Sequence, residues 1–206
     1  MTAAQKVLEI IKRLKVLYPN PTTELNFSNN LECLIAVMLS AQTTDKQVNK
    51  VTPQLFQKFK TAQDYASSSI EEINSYIKSV NYHNTKAKNI YLMSQQLIKN
   101  YNSQVPETMQ ELMSLQGVGR KTANVVMSVA FGKPEGIAVD THVSRLSRQL
   151  LLTNNKDPLK IEQDLLKIVP KNHWHDFHHL LILYGRYHAP AHKHLKDDPL
   201  LKDLCQ

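Results

Sequence analysis

Two glycines one residue apart, Gly117 and Gly119, constrain this chain more than any other feature, since the whole sequence holds only five. They sit in Leu115-Gln116-Gly117-Val118-Gly119, a tight hairpin that feeds a helical pattern with Lys121 in its first turn. Glycine lets a backbone turn at positive φ and lie against a ligand with no Cβ in the way. Where such a turn opens a helix, its N–H groups point outward beside the positive end of the helix dipole. That arrangement is a ready site for phosphate.

The helix after the hairpin supports this reading. Ala123, Val126, Met127, Ala130 and Phe131 form one apolar stripe. At about 100° per residue, Lys121 projects roughly 160° from the middle of that stripe, away from the core. A solvated surface lysine is the plain interpretation, yet a cation in the first turn opposes the helix dipole. Nineteen residues further on, Asp140 stands where the next helix begins.

With 206 residues, 42% of them hydrophobic and 21% charged, the chain reads as an ordinary globular protein rather than a disordered or membrane one. A net charge of +7 favours a polyanionic partner. Two cysteines, Cys33 and Cys205, cannot make a disulfide framework, which fits a reducing compartment. Basic residues interrupt the apolar positions of the first twenty residues, so that segment predicts an amphipathic helix rather than a signal peptide. A cytoplasmic monomer without membrane association is expected.

Helical periodicity runs along the chain. Val7, Ile10, Ile11, Leu14 and Leu17 form a stripe ending before Pro19, and Leu31–Ser40 is apolar nearly all round, as a buried helix would be. Further helices are predicted over 45–60 with a break or kink at Pro53, and over 70–80, 85–101 with Asn84 as N-cap, and 108–115. After a stop at Gly132–Gly136 come 141–152, 159–169 and 173–187. No stretch alternates with the period of a strand. The class is all-α.

LQGVGRKTANVV followed by IAVDTH resembles the helix-hairpin-helix and Gly/Pro…Asp signature of the endonuclease III family of DNA glycosylases. Leu34–Asp45, Asn84–Ala87 and His178–Arg186 match the same family, in order and across nearly the full chain. The resemblance implies two helical lobes with a DNA-binding cleft between them. One would be a six-helix lobe over 22–133; the other would join 1–21 to 134–206. It also implies a bifunctional enzyme that excises oxidised pyrimidines from double-stranded DNA and cleaves abasic sites. Lys121 and Asp140 take the family's catalytic positions. Gln42 falls where the family fills the gap left by a flipped nucleotide, and Gly117, Val118, Gly119 and Arg120 fall on its DNA-gripping hairpin.

In such an enzyme the lysine amine attacks C1′ of the sugar and expels the base, leaving a Schiff base that draws electrons for β-elimination. The amine must be neutral. A lysine ordinarily titrates near 10.4, and a helix dipole offers at most ~2 kcal/mol, roughly one and a half pH units. Desolvation by bound DNA must supply the rest. Asp140 would stabilise the cationic sugar or relay a proton through water, while its type and place also suit a plain helix N-cap. Arg120, Lys133, Arg145 and Arg148 are candidate phosphate contacts or solvated charges. A monofunctional relative would lack the lysine, and a mere DNA-binding module would need neither Lys121 nor Asp140.

Most of the family end in four cysteines that hold a [4Fe–4S] cluster. Aligned from Gly185, those positions fall on Ala189, Lys196, Pro199 and Cys205. One cysteine cannot ligate a cluster, so no cofactor is expected. His188, His192, His194 and Cys205 have no recognised zinc spacing, and no metal is expected. Leu195, Leu200, Leu201 and Leu204 are expected to hold the tail by packing, with His175 and His179 on one face of an ordinary helix.

Overall fold

The computed structural model describes residues 1–205. Among them are helices and turns, with no strand. The chain divides into two compact units: Glu24–Lys133, and Met1–Thr23 together with everything from Pro134 onward.

The terminal unit begins with α1 (Ala3–Leu17). Thr2 and Gln5 cap it reciprocally, each side chain taking the other's backbone N–H. Its stripe of Val7, Ile10, Ile11 and Leu14 is buried, and the helix ends before Pro19 as the sequence requires.

The central unit holds seven helices among the described residues: α2 (Asn30–Ser40), α3 (Asp45–Lys58), α4 (Ala62–Ala66), α5 (Ile70–Ile77), α6 (His83–Tyr101), α7 (Met109–Ser114) and α8 (Arg120–Val129). Asn29, Thr44, Thr61, Ser69 and Thr108 each take an N3 backbone N–H as N-cap. Every residue of Cys33–Leu39 is buried, so α2 is the axis of this core, around which Leu55, Tyr65, Ile73, Ile77, Ile90 and Met127 pack. The sequence placed no helix at α4, whose five residues are too short to show a period. Nor does Asn84 cap α6. That helix starts two residues earlier behind Tyr82, which adopts a left-handed conformation, and Asn84 instead accepts a hydrogen bond from Asn74. Pro53 lies inside α3, which runs through to Lys58.

The terminal unit continues with α9 (Thr141–Gln149), α10 (Pro158–Ile168) and α11 (Trp174–Tyr187), plus three short 3-10 turns. α1, α9, α10 and α11 share one core containing Ile10, Leu14, Leu146, Leu165, Phe177 and Leu180. Leu195, Leu201 and Leu204 of the tail close it, with Leu200 half-buried against it. Asp198 shapes that tail: one carboxylate oxygen accepts from the Tyr184 hydroxyl and from the backbone N–H groups of Leu200 and Leu201. Arg13 of α1 adds a bidentate pair to Asp203 at 2.7 and 2.9 Å and donates to the Leu200 carbonyl. No helix among the described residues is long and apolar enough to cross a membrane.

Candidate functional site

In the central unit, the hairpin before α8 is pinned to α6. Gln96 accepts from the Gln116 N–H at 2.6 Å and donates to the Ser114 carbonyl, while Asn89 accepts from the Gln116 side chain. Val118 N–H closes the turn onto the Leu115 carbonyl at 3.1 Å, and both of those side chains are buried. Gly117 has φ +79°, where a side chain is strained. Gly119 is the N-cap of α8 and provides no side-chain capping bond. The first turn of α8 thus opens behind a backbone turn, with Lys121 exposed upon it and Ala123, Val126 and Met127 turned into the core. The predicted face of Lys121 is the observed one.

The Ala41–Thr43 loop after α2 carries Gln42, exposed and in a left-handed conformation at φ 55°. Two neighbours hold its backbone. Asn81 donates from its side chain to the Gln42 carbonyl and from its N–H to Thr43 Oγ1. Lys86 of α6 is 7% exposed, and its Nζ donates to the carbonyls of Leu39 (2.7 Å) and Ala41 (2.6 Å) and to Thr43 Oγ1 (3.2 Å). Burial pushes the Lys86 ammonium down to about 8.

In the terminal unit, Asp140 is the half-buried N-cap of α9, its Oδ1 accepting from Val143 N–H at 2.8 Å. The segment before it is held by His178 of α11, whose Nδ1 lies 2.7 Å from the Ala138 carbonyl. α9 and α11 approach closely at Gly185, where a Cβ would stand 2.7 Å from His142 Nδ1. Burial lowers the His142 imidazole, with Asp140 opposing that shift. Of the candidate phosphate contacts, Arg145 turns inward: it is half-buried and donates to the Gly185 and Ala189 carbonyls. Lys133 pairs with Glu107 at 2.6 Å, and Arg148 is exposed.

Residues 35–171 match the HhH-GPD superfamily of base excision DNA repair proteins. Endonuclease III of Haemophilus influenzae is 46% identical over 98% of this chain and 95% of its own. The chain belongs to the endonuclease III family. The Escherichia coli K12 member is 45% identical over the same shares, and that of Bacillus subtilis 47% over 92% of this chain and 87% of its own. A solved structure described as a trapped endonuclease III–DNA covalent intermediate superposes with a TM-score of 0.91 at 45% identity, covering 98% of this chain and 95% of that one. A thermostable thymine-DNA glycosylase, 22% identical with a TM-score of 0.83, shares the fold.

Family membership corrects the expectation that no cofactor goes with this chain. Endonuclease III homologues carry a [4Fe–4S] cluster. The expectation rested on side-chain identity at four positions, which speaks to ligands and not to what the family holds. The residues present do not supply a four-thiolate set. Cys205 is buried with its Sγ donating to the Leu201 carbonyl, Ala189 lies in the core, and Lys196 and Pro199 are exposed. The second thiol, Cys33, is buried within α2, where burial raises it to about 12. Among the described residues no group of three or more His, Cys, Asp or Glu could hold a metal ion.

Proposed function

We propose that this protein is a cytoplasmic DNA glycosylase and AP lyase of base excision repair, acting as a monomer on duplex DNA that carries oxidised pyrimidines or abasic sites. One observation carries the assignment. Lys121 stands exposed on the first turn of α8, behind a glycine hairpin whose backbone is pinned from α6. Two solved endonuclease III–DNA complexes, one of them trapped covalently, support the same reading for a chain this similar to them.

The Gly117-Val118-Gly119-Arg120 hairpin grips a phosphate at the open end of α8, its shape held by the Val118 N–H bond to Leu115, and Gln42 fills the space of the extruded nucleotide. Unprotonated Lys121 Nζ forms a bond to C1′ as the glycosidic bond breaks. The base leaves with the bonding electrons and takes a proton. Asp140 stabilises the positive charge on the sugar or relays protons through water. Ring opening then gives a C1′ Schiff base, whose positive nitrogen draws the electrons of the C2′–H bond. Loss of that proton expels the 3′ phosphate, and water releases the lysine.

Borohydride trapping on a duplex with an abasic site tests this. The wild type forms a covalent adduct; Lys121→Ala forms none and still binds the DNA. A wild type that binds without any adduct would return the protein to a monofunctional glycosylase or a binding module.

A further inference from the structure

Lys86 is a buried cation with no place in the chemistry just described. Its three partners are all acceptors: the carbonyls of Leu39 and Ala41, at the C-terminal end of α2, and the hydroxyl of Thr43. An ammonium has three donors, and here each is used. Its charge also sits against the negative end of the α2 dipole. An amine spent in this way is not a nucleophile, since the lone pair that would attack is held in an N–H bond.

The three bonds bracket Gln42. Ala41 precedes it, Thr43 follows it, and Gln42 itself holds φ 55°, a conformation that costs a non-glycine residue about 1 kcal/mol or more and persists only where its surroundings impose it. Asn81 holds the Gln42 carbonyl itself. The side chain of Gln42 is meanwhile exposed.

We infer that Lys86 is a positioning residue, which holds the Ala41–Thr43 loop in shape so that Gln42 is presented to DNA without rearrangement. This rests on the reading of Gln42 as a DNA-contacting residue. A loop fixed in its bound conformation loses less freedom on binding. The advantage is confined to DNA that Gln42 can enter, and undamaged duplex held by phosphate contacts alone gains nothing from it.

The test measures affinity for a duplex bearing a stable abasic-site analogue and for the same duplex undamaged, with thermal unfolding to confirm folding. Lys86→Met and Gln42→Ala are each expected to weaken analogue binding about tenfold and to leave undamaged duplex within about twofold, and the double variant is expected to be no weaker than either single, because the two act through one contact. Gln42→Ala that binds the analogue as wild type would refute the reading of Gln42 and the inference with it. Weakening by Gln42→Ala with none from Lys86→Met, or losses that multiply to about a hundredfold in the double, would overturn the inference alone. Should Lys86→Met not fold, Thr43→Val decides. It removes one acceptor at nearly constant volume and is expected to cost about threefold, a loss absent in the Gln42→Ala background. No loss from Thr43→Val would overturn the inference.

Discussion

Gly117 lies against Asn89 so closely that a Cβ built on it would stand 2.6 Å from Asn89 Nδ2, nearer than side-chain atoms approach. The hairpin therefore has two independent reasons to hold glycine, this contact and its φ of +79°. Gly117→Ala is expected to lose about 2 kcal/mol or more in urea unfolding and to bind DNA at least about tenfold more weakly. Adding Asn89→Ala removes the Nδ2 and Cγ contacts but leaves Asn89 Cβ 2.8 Å away and the backbone strain in place, so it should restore only part of the loss. Full restoration would mean that the left-handed backbone costs nothing here.

Asp140 can be tested as cap and as carboxylate separately. Asparagine caps helices as well as aspartate does, so Asp140→Asn should unfold within about 0.5 kcal/mol of wild type, whereas Asp140→Ala should lose about 1 kcal/mol. If the charge serves the chemistry, both variants slow single-turnover base excision by about a hundredfold or more. Near-normal excision by Asp140→Asn would reduce Asp140 to a cap.

His179 makes the terminal unit sensitive to acid. Burial, followed by the neighbouring His178 and His175, lowers its imidazole from 6.5 to about 2, and its Nε2 has no hydrogen-bond partner. Between those values the unfolded chain holds a proton that the folded one does not. Stability therefore falls as pH drops below 6.5, by about 1.4 kcal/mol per pH unit from this residue alone. Urea titrations between about pH 6.5 and 4.5 should show that slope reduced in His179→Leu. An unchanged slope would assign the acid sensitivity elsewhere.

The tail depends on Asp198. Removing its carboxylate leaves the buried Tyr184 hydroxyl and two N–H groups without their shared acceptor. Asp198→Ala should cost about 2–4 kcal/mol and expose Lys193 and Lys196 to rapid tryptic cleavage. Arg13→Ala, which breaks a partly solvated pair, should cost about 1 kcal/mol. Equal, small effects would show the leucine contacts alone hold the tail.

What the sequence made legible was local. The stripe of α8, the glycine spacing and the acid before α9 each announce themselves within one helix turn of the feature they shape. Lys86 does not: its acceptors lie up to 47 residues away, and nothing near it separates a buried cation from a surface one. Gln96 grips Gln116 across 20 residues in the same silent way. Asn89 and Gln96 are seven apart on α6, and that spacing was a faint sign that two amides share a face. Asn84 misled because it has the composition of a cap while the backbone turn fell at Tyr82. The cofactor expectation failed for another reason, because four aligned side chains were asked to answer for a whole family.

α1 shares its core with residues that follow Pro134, on the far side of the central unit in sequence. On the ribosome its stripe of Val7, Ile10, Ile11 and Leu14 emerges before its partners and waits, unpartnered, while the entire central unit is translated. At about 5–20 residues per second that wait lasts several seconds or more. Those four side chains need cover for that interval, which makes α1 the segment where a chaperone at the ribosome would find its foothold.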